Sequence, residues 1–174
     1  LSTKTNLVRN ANSTWLIGKP LKQDLEKILK RDVLIENDAN CFAISEAFDG
    51  AGSRAHTVFG VILGTGVGAG IVIGKKIHIG KNKIAGEWGH NPLPWTHESE
   101  LPGKKCFCGR TGCLETFISG PAIEREFKDL HGRNLNMKNI VRESGAGNLK
   151  AEQVIKNLED RLARALAHAI NILD

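Results

Sequence analysis

Three of the four cysteines in this 174-residue chain fall within eight residues, as Cys106-x-Cys108-x4-Cys113, and that crowding constrains the fold more than any other feature. Disulfides inside so tight a cluster would close very short loops, and a chain of this length can bury a core without such staples. Ligation of a metal by thiolates is the better account. Three sulfurs need one more donor to complete a tetrahedral shell. His90, in Gly86-Glu87-Trp88-Gly89-His90, is the leading candidate, with Cys41, His97 and His78 as competitors. Cys41 sits just inside a helical pattern among apolar neighbours and reads as a buried, inert thiol. A closed shell of three Cys and one His leaves no position for an activated water, so the expected ion is architectural zinc. It would organise Ile84 to Gly120, a stretch rich in Gly, Pro, His and Cys with little periodicity. Glu87 and Glu115 flank the proposed ligands, so ligation would hold both carboxylates near one cage, where they can accept the hydroxyl pairs of a sugar, although surface charges or hydrogen-bond partners of the metal ligands account for them equally well.

The rest of the chain alternates between helical and strand-like patterning. Pro20 to Lys30 carries Leu21, Leu25, Ile28 and Leu29 at helical spacing, with Pro20 suited to the first turn. Val33 to Ile35 reads as a short buried strand, and Asp38 as the cap of a second helix, Ala39 to Phe48. In Glu36-Asn37-Asp38-Ala39-Asn40, a carboxylate at the mouth of a strand is placed to act as a general base toward a hydroxyl, although capping alone also accounts for it. Thr57 to Leu63 and Gly70 to Ile73 flank Gly64-Thr65-Gly66-Val67-Gly68-Ala69, and Lys76 to Ile79 forms a third run. This is a glycine-rich hairpin and not the strand-to-helix turn of a Rossmann unit. Glycine in such a turn supplies positive φ and a bare Cα, which let backbone amides approach phosphate oxygens, although ordinary turn geometry by itself accounts for the pattern. Helical spacing returns at Pro121 to Leu130, near Met137 to Glu143, and in Ala151 to Leu173. In the last, Val154, Ile155, Leu158, Leu162, Leu166, Ala169, Ile170 and Leu173 make one apolar stripe suited to a core.

Composition excludes several classes. With 41% hydrophobic and 25% charged residues, collagen-like, low-complexity and charge-driven disordered chains are ruled out. No apolar run approaches the roughly 20 residues of a membrane span. The net charge of +5 is scattered, with Lys75/Lys76, Lys81/Lys83 and Lys104/Lys105 the densest groups and no aromatic interleaving, so it reads as solvated surface and not as a nucleic-acid face. Asn12-Ser13-Thr14 matches a glycosylation sequon with nothing else pointing to secretion. Residue 1 is Leu, the single Met is Met137, and the last helical pattern has no stop signal, so the sequence reads as an internal piece of a longer protein.

The order of these elements resembles the ROK family, bacterial sugar kinases and sugar-responsive repressors within the actin-like sugar kinase superfamily. The resemblance rests on Glu36 to Asn40, Leu63-Gly64-Thr65-Gly66-Val67-Gly68-Ala69-Gly70, Ala85 to His90, and Cys106-Phe107-Cys108-Gly109-Arg110-Thr111-Gly112-Cys113-Leu114-Glu115, and covers about residues 8 to 174. Asn10-Ala11-Asn12-Ser13-Thr14-Trp15-Leu16 and Asn91-Pro92-Leu93-Pro94-Trp95 look closest to the fructokinase or mannokinase branch, with N-acetylglucosamine kinases next. It implies an α/β, actin-like (ribonuclease H-like) sugar kinase fold, incomplete, with a structural zinc loop. Residues 1–37 would be a remnant of the small N-terminal domain and 38–174 most of the large one. It implies ATP-dependent phosphorylation of a hexose at its 6-hydroxyl, with Mg2+ accompanying ATP and Asp38 as catalytic base. Thr14, Asn37, Asp38, Glu87, His90 and Glu115 would contact the sugar, and Gly64, Thr65, Gly66 and Gly68 the phosphates. His90, Cys106, Cys108 and Cys113 would hold zinc. A cytoplasmic location and a homodimer are further implications, as is the alternative of a sugar-sensing repressor domain that binds nucleic acid through a segment ahead of residue 1. The family's first phosphate hairpin and its adenosine-side segment have no counterpart in residues 1–174.

Overall fold

The computed structural model describes residues 1–2, 4–8 and 13–174. Asn10 to Asn12, the first three residues of the stretch Asn10 to Leu16 and with them the sequon asparagine, lie outside the described residues. Two layers of helices enclose a small sheet, and small side chains determine how closely they pack.

The sheet has three antiparallel strands in the order β1 (Thr57–Leu63), β2 (Val67–Ile73), β3 (Lys76–Ile77). Leu63 pairs with Val67 across the three-residue turn Gly64-Thr65-Gly66, and the register runs in step to Thr57 opposite Ile73. Strand β2 thus begins three residues before the apolar run that signalled it. Strand β3 stops short of Ile79, although His78 N–H still donates to Ile71 O at 2.7 Å. Successive side chains on a strand point to opposite faces. Val58, Val72 and Ile77 therefore turn to one side, while Phe59, Val61, Val67 and Ala69 turn to the other.

Helix α2 (Asp38–Phe48) covers the first face. Its Ala39, Ala43 and Ala47 are spaced by four and fall on one stripe, all buried. That stripe lies on Gly60, Gly68 and Gly70: a Cβ added to Gly70 would stand 2.6 Å from both Ala39 O and Ala43 Cβ. Cys41 lies off the stripe and is exposed, contrary to its expected burial. The cap also differs from expectation. Asn37, in extended conformation, accepts the Asn40 amide on Oδ1 at 2.8 Å, and Asp38 is the first helical residue, accepting the Ala39 amide at 2.9 Å.

The second face is covered by a cluster of Trp88, Leu93, Leu114, Phe117, Ile118 and Ala165, with Leu158, Leu162 and Leu166 packed around it. Phe117 and Ile118 belong to a short helix, α3 (Glu115–Ile118), that the aperiodic sequence did not reveal, and Leu114 directly precedes it. Ala165 and the three surrounding leucines come from α6 (Leu149–Leu173), whose long apolar stripe is divided between this core and a second. In that second core α6 meets α4 (Gly120–His131) and α5 (Met137–Gly145) through Ile123, Phe127, Ile140, Ala151 and Val154. Ile170, at the outer end of the stripe, is exposed.

Ahead of α2, α1 (Leu21–Leu29) has the expected helical form, with Pro20 as its N-cap and not in its first turn; it ends at Lys30 in the left-handed region and buries no residue. Val33 to Ile35 forms no strand, and Leu34 is 96% exposed. Among the described residues no strand lies beside it to complete a ladder. Val33 N–H donates instead to the Glu26 carboxylate at 3.3 Å.

Because α2 and β2 touch through a bare Cα, Gly70→Ala is expected to lower stability by about 1–3 kcal/mol, the usual cost of overpacking. Gly145→Ala, where nothing lies within 4 Å of the new methyl, is expected to be neutral or stabilising by up to about 1 kcal/mol. Urea denaturation of both variants checks the contrast.

Candidate active site and metal centre

The first residues of β2 are the meeting point of four separated sequence motifs. The Gly86 to His90 segment runs against the strand: Ala69 N–H donates to Gly86 O at 3.1 Å. Gly86 holds φ +87°, and a side chain there would collide with the Ala69 carbonyl, so only glycine fits. Trp88 is buried edge-on against Phe59 of β1, 5.5 Å between ring centroids, and pins the turn Trp88–His90 to the sheet. Glu87, just before that turn, remains exposed.

On the other side, Glu115 opens α3 and accepts the Val67 amide on Oε2 at 2.9 Å. The same oxygen would lie 2.7 Å from a Cβ on Gly66. Gly120 N–H donates to Gly64 O at 2.8 Å. The hairpin is therefore held from below by the starts of α3 and α4, with Thr65 exposed at its tip. None of Gly64, Gly66 and Gly68 has positive φ. Their value here is the missing Cβ, which admits Glu115 at Gly66 and the first turn of α2 at Gly68, 3.3 Å from Ala39 Cβ. That first turn carries Asn37 and Asp38. Glu36 is tied into it by accepting from Asn37 N–H at 3.0 Å and Asn40 Nδ2 at 3.1 Å. Asn40, buried, is the brace for this turn. An amide inside a helix carries no signature along the chain, so this role becomes visible only in three dimensions. Thr14 is exposed on a separate 3-10 turn, Thr14–Leu16, and among the described residues its one bond is the backbone bond from Ile17 N–H.

The structure gathers His90, Cys106, Cys108 and Cys113, with one donor atom from each lying within 4.8 Å of all the others. Cys106 Sγ stands 3.6 Å from His90 Nδ1, and Cys108 Sγ 3.6 Å from Cys113 Sγ. A tetrahedron with metal–sulfur bonds of about 2.3 Å has edges of about 3.8 Å, so the donor set fits zinc. All four cysteines are free thiols. Local backbone shapes the cage: Cys106 N–H donates to Arg110 O at 2.7 Å and Gly109 N–H to Cys106 O at 3.0 Å, a knuckle that turns two sulfurs inward. Lys105 and Thr111 bridge its base, and Pro92 bridges to Cys113. Burial, reinforced by the Cys108 and Cys106 thiols, pushes the Cys113 thiol up to about 12. The Arg110 backbone beside Cys108 draws that thiol the other way. Thiols so crowded ionise together only around a cation. With Nδ1 turned to the cage, the Nε2 of His90 remains for another partner. Cys41, His97 and His78 are not part of this group.

The family model described as "ROK family" matches residues 1–174. The chain belongs to the ROK family. It is 40% identical over 168 residues to an N-acetyl-D-glucosamine kinase of Pectobacterium carotovorum subsp. carotovorum, covering 94% of this chain and 55% of that protein. Among solved structures, the ROK hexokinase from Thermus thermophilus superposes with a TM-score of 0.88 at 30% identity, covering all of this chain and 56% of that one. A ROK family transcriptional regulator, a homologue of the E. coli MLC protein, superposes at 0.79 with 26% identity over 90% of this chain and 41% of that one. The actin-like sugar kinase architecture is thereby established, and the chain spans about half the length of the curated relatives it matches. The curated relatives bear the name of the sugar ranked behind fructose and mannose on motifs alone. Among the described residues, no helix is long and apolar enough to cross a membrane.

Between His90 and Cys106 of this ROK chain lies a strap, residues 91–105, in which Leu93 is the one buried apolar side chain. It is held by polar groups with no sequence signature. Glu100, buried, accepts on Oε1 from Arg161 Nε at 2.9 Å and Arg164 Nη2 at 2.7 Å, and on Oε2 from His97 N–H at 2.9 Å. Burial alone would raise its pKa. Arg164, the His97 amide and Arg161 outweigh it and hold the carboxyl at about 2, below its ordinary 4.5.

Zinc is expected to bind one to one, and a chelator to lower the melting temperature and amide-exchange protection between Glu87 and Glu115 before the strands open. Cys106→Ser should reproduce the chelated state without further response to chelator, and equal melting with and without chelator would count against the metal centre. Separately, unfolded chains bind a proton at Glu100 that the folded chain refuses between pH 4.5 and about 2. Its contribution is complete above that window and drains away as pH falls through it, by about 3 kcal/mol in all. Urea titrations of metal-free Glu100→Gln should show a correspondingly flatter acid limb than the parent chain.

Proposed function

We propose that the full protein carrying this chain phosphorylates a hexose at its 6-hydroxyl with MgATP, and that N-acetyl-D-glucosamine is the preferred sugar. One observation carries the reading: Asp38, the Gly86 to His90 segment, Glu115 and the glycine hairpin, scattered over 78 residues of sequence, meet around the first residues of β2. Phosphoryl transfer needs little covalent help from a protein and much positioning of charge and nucleophile. A rigid strand edge that fixes an acid, two further carboxylates and a phosphate-facing turn provides that.

In this reading Asp38 takes the proton from the attacking hydroxyl. Asn37, Glu87, His90 and Glu115 receive the remaining hydroxyls, with Thr14 at the margin. Gly64, Thr65, Gly66 and Gly68 face the phosphates. Glu115 has one carboxylate oxygen on the Val67 amide, so it links the sugar side of the site to the hairpin and leaves the other oxygen for substrate. Zinc on His90, Cys106, Cys108 and Cys113 supplies no chemistry; it fixes His90 and the flanking carboxylates. Residues 1–37, whose α1 buries nothing, belong with a small domain, and 38–174 with the large one. The preference for the N-acetylated sugar is supported by the curated N-acetyl-D-glucosamine kinase at 40% identity.

The repressor alternative is favoured by the superposition on the transcriptional regulator. Asp38 separates the two, since a sensor has no need of a base. In protein of the relatives' full length, Asp38→Asn is expected to reduce kcat by about 10²- to 10⁴-fold, with the dissociation constant for N-acetyl-D-glucosamine nearly unchanged. Coupled ATP-consumption assays across that sugar, glucose, mannose and fructose, together with calorimetric sugar binding, check it. Loss of binding along with turnover would make Asp38 structural, and a parent without turnover on any sugar would turn the reading to the sensor.

A further inference from the structure

The metal ligands come from two places, His90 at the end of one turn and the three cysteines from 106 onward, joined by a strap with little apolar anchorage. What fixes the middle of that strap decides how well the two halves of the cage stay in register. Arg164 of α6 donates through Nη1 to Pro94 O at 3.0 Å and Trp95 O at 2.9 Å, and through Nη2 to Glu100. Trp95, held by that grip, sits at φ +48°, a conformation that costs a bulky residue energy and persists only where neighbours enforce it. Arg161, one turn earlier on α6, donates to Glu100 and to Glu126 of α4, and lies 5.5 Å over the Phe117 ring of α3. Asp160 completes the charge balance on Arg164 at 2.9 Å. Both arginines and Glu100 are nearly out of solvent, with side chains 12–13% and 5% exposed.

We propose that Glu100, with Arg161 and Arg164, is a positioning clamp for the metal centre: it locks the strap onto α6 so that His90 and the cysteine knuckle are presented at ligand spacing. The three residues contact no ligand. They act through the strap, whose ends are the ligands themselves, as outer partners of a metal site do when their loss costs roughly ten- to a hundredfold in affinity. A solvent-exposed pair in the same region, Lys104 with Asp129 at 3.2 Å, has no such role.

The test uses Co2+ in place of zinc, because thiolate-to-cobalt absorption reports the ligand shell whether or not the protein has any enzymatic activity. Glu100→Gln keeps the volume and removes the charge, and Arg164→Lys keeps the charge and loses the paired carbonyl grip. Each is expected to retain the tetrahedral cobalt spectrum and helical circular dichroism, yet to release Co2+ to a competing chelator roughly ten- to a hundredfold faster than the parent chain. Combining the two should add little to the faster single, as expected of residues acting as one unit. Lys104→Ala should release at the parent rate. Release within twofold of the parent by Arg164→Lys overturns the clamp, also where Glu100→Gln fails to fold. Equal acceleration by Lys104→Ala overturns it too, by showing that any change in the region loosens the metal.

Discussion

The contact on which the remaining geometry depends is the approach of two backbones to β2 with nothing between. On one face α2 rests its alanine stripe on strand glycines. Near the other, the Gly86 to His90 segment lies on the Ala69 carbonyl with no room for a methyl. Close-packed interiors transmit small displacements instead of absorbing them. The Asp38 carboxylate at the start of α2 and the His90 imidazole at the end of the facing segment are thus set relative to each other by the thickness of one strand. Larger side chains would stabilise such a layer by burying more apolar area, but they would move the two elements apart.

That economy explains which parts of the chain were legible in its residues. Elements that bury a regular stripe announce themselves by period. Helices α4 and α6 and the β1–β2 hairpin were readable because Phe127, Val154 or Val61 recur at the spacing of their element. The Cys106, Cys108 and Cys113 cluster was readable for a different reason, that three thiols so close together have few uses. Helix α3 was hidden because four residues cannot display a 3.6-residue period. Val33 to Ile35 misled because a strand-like run needs a neighbour, and the described residues offer it none. Cys41 misled because burial was inferred from apolar neighbours in sequence, whereas on a helix the neighbours that matter are three and four residues away. Asn37 took the cap from Asp38 because its extended backbone lies one residue outside the helix. The exchange does not free Asp38 of the backbone, since its Oδ1 still accepts the Ala39 amide and only Oδ2 is left without such a bond.

Least legible was the polar network beneath the strap. Glu100, Glu126, Arg161 and Arg164 look like ordinary surface charges along the sequence, and their meeting depends on the docking of α6 across the second face of the sheet. Buried ion pairs are poor sources of stability, because desolvation consumes most of the Coulombic gain. What they confer is register: a carboxylate with two guanidinium partners and an amide has one satisfactory arrangement, while an apolar strap could slide. Between His90 and Cys106 the chain has Leu93 and little else apolar to bury, so directional bonds do the fixing that hydrophobic contact does elsewhere.

A structural metal in this setting is one half of a two-sided restraint. A bound ion would draw four donors together but could not choose where on the sheet the resulting knot sits; the Val67 amide on Glu115, the Trp88 edge on Phe59 and the arginine-held strap choose that. Conversely, those contacts cannot bring three thiolates within van der Waals range of each other, since burial and mutual proximity push Cys113 toward its neutral form. Each restraint supplies what the other lacks. The carboxylates and imidazole at the head of β2 can therefore be rigid without being deeply buried, as the proposed sugar site requires.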